Sequence, residues 1–139
     1  MGTAEQFAEL MWAGVPAAVR QNGELTMGQE VKEFFEKFQR DAAKMKQEVP
    51  DAINGFSGLF AKVMTDGAIS LLEKEFVALG IAVAIQCTPC IRLHVKKCLD
   101  AGATKEQVLE AASVAVMMGG GPAYTHIPVV MDTLEALGV

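Results

Sequence analysis

The stretch Ser70–Ile85, SLLEKEFVALGIAVAI, most constrains what this chain can fold into. It opens with a capping-box pattern. The Ser70 hydroxyl can accept from a free backbone N–H, and Glu73 can reach back to the Ser70 N–H. Beyond the cap, Phe76, Val77, Leu79, Ile81, Ala82 and Val83 make a helix that is apolar nearly all round. Such a helix is buried, so other elements must surround it. The run Phe76–Ile85 is about half of the roughly 20 residues needed to span a bilayer, so the burial is expected to be in protein. Glu73 has a structural task in the cap. Glu75 has none, and it stands among apolar neighbours.

The rest of the chain supplies the surrounding elements, and they too are helical. No convincing alternating strand is present. Thr3 can cap a first helix presenting Phe7, Leu10, Met11 and Val15, which Pro16 interrupts or bends. Gln21-Asn22-Gly23 reads as a turn. A longer helix is expected from about Met27 to Glu48, with Val31, Phe34, Phe35, Phe38, Ala42 and Met45 at helical spacing. Its charged stripe, which includes Glu30, Lys32 and Arg40, is a solvated face.

Pro50 starts the next element. Ile53, Phe56, Leu59, Phe60, Val63 and Met64 form its apolar face, expected in the core or a subunit interface, and Asp66-Gly67 ends it. After the buried helix, a further helix runs to about Asp100, with Gly102 suited to a left-handed stop. Thr104-Lys105-Glu106-Gln107 is a second capping box. Gly119-Gly120-Gly121-Pro122 breaks the chain. A final helix carries Tyr124, Ile127, Val130, Met131, Leu134 and Leu137, bent or displaced in its start by Pro128. The expected fold is all-α with about six helices in one domain over residues 1–139. Helices over about 3–48 form an extension, and the core covers about 50–137.

Composition narrows the function. Hydrophobic residues make up 51% and charged residues 21%, a globular balance. The net charge is −5 with no basic block, which argues against a nucleic-acid partner. The N-terminal segment is acidic and lacks the basic region of a signal or transit peptide, so a reducing cytosol is the expected setting, without membrane insertion. The glycine run has neither a preceding strand nor a following Lys-Ser/Thr, so it is not a nucleotide loop.

The chemistry gathers in Cys87-Thr88-Pro89-Cys90-Ile91-Arg92-Leu93-His94. In a reducing compartment a CxxC pair is redox-active or metal-binding rather than a structural disulfide. Thr88 reads as an N-cap and Pro89 as the first helical residue, which places Cys90 in the first turn. There the unpaired N–H groups and the helix dipole favour a thiolate. Cys87, just before the helix, can close a disulfide onto Cys90. His94 lies one turn past Cys90 on the same face and can take the thiol proton or stabilise the thiolate. Glu75 can orient that histidine if its helix packs alongside.

Zinc is the rival reading. Cys87, Cys90 and His94 supply three ligands where structural zinc wants four. Cys98 is excluded as the fourth, because eight helical residues put it roughly 12 Å from Cys90. His126 is another candidate. A catalytic zinc with an open position and inert core cysteines remain alternatives. Cys98 reads as a small buried hydrophobe, and Tyr124 and His126 as satisfied core or interface groups.

Glu75, eleven intervening residues, Cys87-x-x-Cys90, three residues and His94 resemble the motif of the alkylhydroperoxidase D-like proteins within the carboxymuconolactone decarboxylase family. Ala101-Gly102-Ala103-Thr104, Glu106-Gln107 and Met118–Pro122 are also similar to that family's core. The resemblance covers about residues 55–137. It implies an all-helical bundle with a two-helix core around the CxxC, and a homo-oligomer, commonly a trimer or hexamer. It implies thiol-dependent peroxidase or disulfide-reductase activity without metal or organic cofactor. By that similarity Cys90 would be the peroxidatic cysteine, Cys87 its resolving partner, and His94 and Glu75 members of a proton relay. The best-known members carry His or Tyr immediately before the second cysteine, where this chain has Pro89, so one polar element of that relay is either missing or replaced by Tyr124 or His126.

The expected activity is reduction of hydroperoxides with a dithiol or lipoyl-bearing reductant. The alternatives are a disulfide or lipoamide-type reductase that barely touches peroxide, and a non-catalytic oligomeric module with a structural zinc.

Overall fold

The computed structural model describes residues 26–139. The helix expected from Thr3 and the turn at Gln21-Asn22-Gly23 lie outside them. Among the described residues the fold is all-α, with six helices and no strand. They are α1 (Met27–Glu48), α2 (Pro50–Val63), α3 (Leu71–Ala84), α4 (Thr88–Asp100), α5 (Lys105–Tyr124) and α6 (Ile127–Ala136).

Three helices start as the sequence dictates. Thr26, Ser70 and Thr104 are N-caps of α1, α3 and α5, each closing a reciprocal box with Gln29, Glu73 or Gln107. Lys74 then ties α3 to the end of α2, its Nζ donating to Val63 C=O at 2.9 Å and Thr65 C=O at 2.6 Å. α4 stops at Ala101, and Gly102 follows with φ +93°.

α3 is the centre of the bundle. It packs most extensively on α5, then on α4, while α6 bridges α4 to α1. Leu79, Ala82 and Val83 of α3 meet Ile91, Val95 and Cys98 of α4, and Val108 and Ala112 of α5, in one continuous core. At roughly 25 cal/mol per Å² of apolar surface removed from water, such burial is the main force holding α3 in place. α5 comes close to α3 at Gly119, where an added Cβ would lie 3.7 Å from Ala84 Cα and only 2.9 Å from Ala123 Cβ.

Two expectations need correction. The N-cap of α4 is Cys87, not Thr88. α3 ends in a tight turn that leaves a single residue, Gln86, before Cys87, whose carbonyl already accepts from Ile91 N–H at 2.9 Å. The helix therefore opens one residue early and Pro89 falls in its first turn at the second helical position. Second, the glycine run does break the helix, at Gly120, but the last helix does not follow it directly. Gly120 adopts φ +64°, ψ −147°, and helical structure resumes through Tyr124, which belongs to α5 and not to the last helix. α6 starts at Ile127 with Pro128 in its first turn, where a missing N–H costs nothing. α2 contributes no buried residue, so of the two places expected for its apolar face, core or subunit interface, the core of this chain is not the one.

Candidate active site

The buried helix and the dithiol helix meet at Glu75 and His94. Glu75 is 2% exposed, on the same face of α3 as Leu79, Ala82 and Val83. Its Oε2 lies 2.7 Å from His94 Nδ1 on α4. A carboxylate oxygen accepts, so Nδ1–H donates in this pair, which leaves Nε2 as the nitrogen that can exchange a proton. The histidine side chain is partly exposed and the glutamate is not. The arrangement is a buried acceptor orienting an imidazole whose other nitrogen can handle a proton. Glu73, two residues earlier, is held by the Ser70 cap at 2.6 Å and takes no part.

Cys87 and Cys90 form a disulfide, with Cα atoms 5.2 Å apart. Both are half-buried, Cys90 against the core and Pro89 exposed between them. With Cys87 as N-cap, Cys90 is the third helical residue, still within the turn whose N–H groups lack intrahelical partners. A thiolate released there is stabilised by those groups and by the helix dipole. His94 follows one turn later on α4.

Cys98 also lies on α4, fully buried and reduced. Burial, with a lesser contribution from the Glu75 charge, pushes its thiol up to about 12, so it stays protonated and unreactive. His126 sits between α5 and α6, where its Nδ1 donates to Pro122 C=O at 2.9 Å. Tyr124 is half-exposed near the end of α5. Among the described residues no three His, Cys, Asp or Glu side chains converge to hold a metal ion, so neither Cys98 nor His126 completes a zinc set with the dithiol.

Two neighbours of the site escaped the sequence reading. Arg92, on α4 between Cys90 and His94, sits over the Phe34 ring of α1 at 5.2 Å and 3.9 Å from Glu30. It is the cation that joins α1 to the dithiol helix. Its contact joins residues far apart in sequence, which no spacing within the motif encodes. The other is Gln86, which has φ +60°. The signal available for it was the absence of glycine where one helix ends and another begins within three residues.

Comparison with known proteins agrees with this architecture. Residues 47–127 match the carboxymuconolactone decarboxylase family. A crystal structure of a carboxymuconolactone decarboxylase family protein from Legionella pneumophila superposes with a TM-score of 0.74 at 32% identity, covering 79% of this chain and 98% of that one. An uncharacterised protein of Cupriavidus necator is 28% identical over 111 residues, 80% of this chain and 98% of the relative. The alkyl hydroperoxide reductase AhpD of Corynebacterium kroppenstedtii is 32% identical over 63 residues, 45% of this chain and 36% of that protein. The matched region holds Glu75, the dithiol and His94 together, and the chain belongs to the carboxymuconolactone decarboxylase family, in its AhpD-like, CxxC-bearing form.

Proposed function

We propose that this protein is a thiol-dependent peroxidase that reduces hydroperoxides through Cys90 and Cys87. The observation that carries the reading is the 2.7 Å contact between buried Glu75 and His94, one helical turn from a cysteine already paired with its neighbour. His94 takes the Cys90 thiol proton. The thiolate attacks the terminal peroxide oxygen, the O–O bond breaks, and the proton returns to the departing alkoxide. Cys90 becomes a sulfenic acid and the substrate an alcohol. Cys87 then attacks the Cys90 sulfur, water leaves, and the disulfide forms. A dithiol or lipoyl-bearing reductant restores both thiols by exchange. No metal or organic cofactor enters these steps.

A second reading keeps the dithiol chemistry and drops the peroxide. It is favoured by Pro89, which puts an imino acid without a polar side chain between the cysteines. In that reading the protein is a disulfide or lipoamide-type oxidoreductase. Peroxide consumption with a dithiol reductant separates the two. Turnover in wild type that is lost in Cys90→Ser is expected; no turnover in wild type at high enzyme concentration leaves the oxidoreductase reading.

The protein is further proposed to work in the cytoplasm as a homo-oligomer, a trimer or hexamer. No helix among the described residues is long and apolar enough to cross a membrane. The support for assembly is the uncovered apolar surface of α2, with Phe56 at 66% and Leu59 at 60% exposure, and an apolar groove of about 400 Å³ between α3 and α5.

A further inference from the structure

Gln86 alone joins the turn after α3 to Cys87. It is the sole non-glycine residue with positive φ among those described, at +60°; the other three positive values fall on Gly102, Gly120 and Gly138. Its place is the left-handed position of a Schellman turn. Gln86 N–H donates to Val83 C=O at 3.1 Å, and Cys87 N–H to Ala82 C=O at 3.0 Å. Those bonds use only backbone, and glycine satisfies them without a steric penalty. Glutamine is not among the polar types enriched in this conformation. Its side chain is exposed and makes no hydrogen bond among the described residues. The two backbone bonds reward this conformation whatever the residue, so they do not account for a glutamine in it, and a non-glycine residue kept there beside a reactive group points to a task for the side chain.

The direction of thiol exchange indicates that task. An incoming thiolate attacks one sulfur of a disulfide and expels the other, faster when the leaving thiol has the lower pKa. Cys90 lies in the first turn of α4, where a thiolate is stabilised, and Cys87 precedes the helix. Attack therefore falls on Cys87 Sγ. The residue covalently next to the attacked cysteine is Gln86.

We propose that Gln86 is a specificity residue for the reductant: its carboxamide pairs with an amide beside the incoming thiol, so the site favours a cysteinyl-peptide dithiol over a small dithiol without amides. A carboxamide presents both a donor and an acceptor, the complement of a peptide unit. The inference rests on the dithiol chemistry proposed above and names the class of its electron donor. In the exchange, the first peptide thiolate forms a mixed disulfide with Cys87 and expels the Cys90 thiolate. The second peptide thiolate then attacks the peptide's own sulfur and expels the Cys87 thiolate. The peptide leaves as its disulfide, and its two protons end on Cys87 and Cys90.

The test measures the rate at which the oxidised protein is reduced by an acetylated, amidated Cys-Gly-Gly-Cys peptide and by dithiothreitol, using acid quench and alkylation mass spectrometry. Wild type is compared with Gln86→Gly, Gln86→Leu and Gln86→Asn. In the Gly and Leu variants the peptide rate is expected to fall about tenfold, the value of one polar contact of about 1.4 kcal/mol, while the dithiothreitol rate stays within about twofold. Asn, which keeps the carboxamide and tolerates this backbone, restores part of the peptide rate. The Gly variant is expected to melt at or above the wild-type temperature, which separates lost recognition from lost folding. A peptide-to-dithiothreitol ratio unchanged across the variants overturns the proposal. So does an equal fall with both thiols, which assigns Gln86 to loop geometry, or a wild-type disulfide that neither thiol reduces. Peroxide turnover is read separately with dithiothreitol; its absence sinks the peroxidase reading and leaves the rate ratio intact.

Discussion

α2 and α3 are both 14 residues long and both carry an apolar face, yet they meet different fates. α3 buries Glu75, Leu79, Ala82 and Val83. α2 buries nothing, and Phe56, Leu59 and Val63 stay exposed. The difference lies in how far around the helix the apolar residues extend. α2 has one apolar stripe, and among the described residues it packs substantially on α1 alone. α3 is apolar on all sides, so one side enters the core and the other, with Val77 and Ile81, still lines a groove with Val114 and Met118 of α5. Periodicity tells which residues seek cover. It does not tell whether the cover comes from this chain or another.

The largest expected effect tests that contrast directly. Leu79 is 0% exposed and Leu59 is 60% exposed. Leu79→Ala is expected to cost about 2–5 kcal/mol in denaturant unfolding, the usual cost of a cavity at a closed site. Leu59→Ala is expected to stay within about 0.5 kcal/mol in a single chain. Leu59→Asp should leave the fold intact and lower the assembly mass in light scattering, because a charge on a covered apolar face opposes association. Retention of the wild-type mass would show that α2 is not the contact face.

α3, apolar as it is, holds the Glu75 carboxylate on its core side. Glu75→Leu removes the acceptor and leaves His94 Nδ1–H unpaired in a mostly buried place, at a cost of about 1–3 kcal/mol. Glu75→Gln keeps an oxygen acceptor and loses the charge. Its stability is expected near wild type while thiol-dependent turnover falls at least about tenfold, as when other histidine-orienting acids become amides. Gln and wild type with equal turnover would make Glu75 a packing residue.

Much of this site is legible in the sequence. The capping boxes at Ser70 and Thr104 fixed where α3 and α5 start, because a side chain accepting a free N–H is a local event. Glu75 was conspicuous because an acid with no capping task stood in an apolar run. What the sequence hid depends on tertiary geometry. Thr88 has the residue type of an N-cap, but the turn after α3 hands the chain over one residue sooner, so Cys87 takes that position. The glycine run does break the helix, but the break is confined to Gly120, and a short helical stretch through Tyr124 intervenes before the last helix begins. The Arg92–Phe34 contact joins residues far apart in sequence, and no periodicity encodes it.

The smallest expected effect concerns Cys98, on the α4 side of the interface that covers α3. Its thiol is raised from 9.0 to about 12, chiefly by burial and secondarily by the Glu75 charge. A raised pKa in the folded state means the fold holds the proton that the unfolded chain releases. Its contribution to stability is therefore fully present below about pH 9 and is lost as pH rises through that value towards about 12. Within that window the slope is at most about 1.4 kcal/mol per pH unit. With Cys87 and Cys90 held oxidised, Cys98→Val should remove this slope from urea midpoints measured between pH 8 and 10, and neutral-pH alkylation of the native wild type should label no thiol. Labelling of Cys98 in the folded protein would mean that the covered side of α3 opens readily, and the contrast with α2 would then be one of degree.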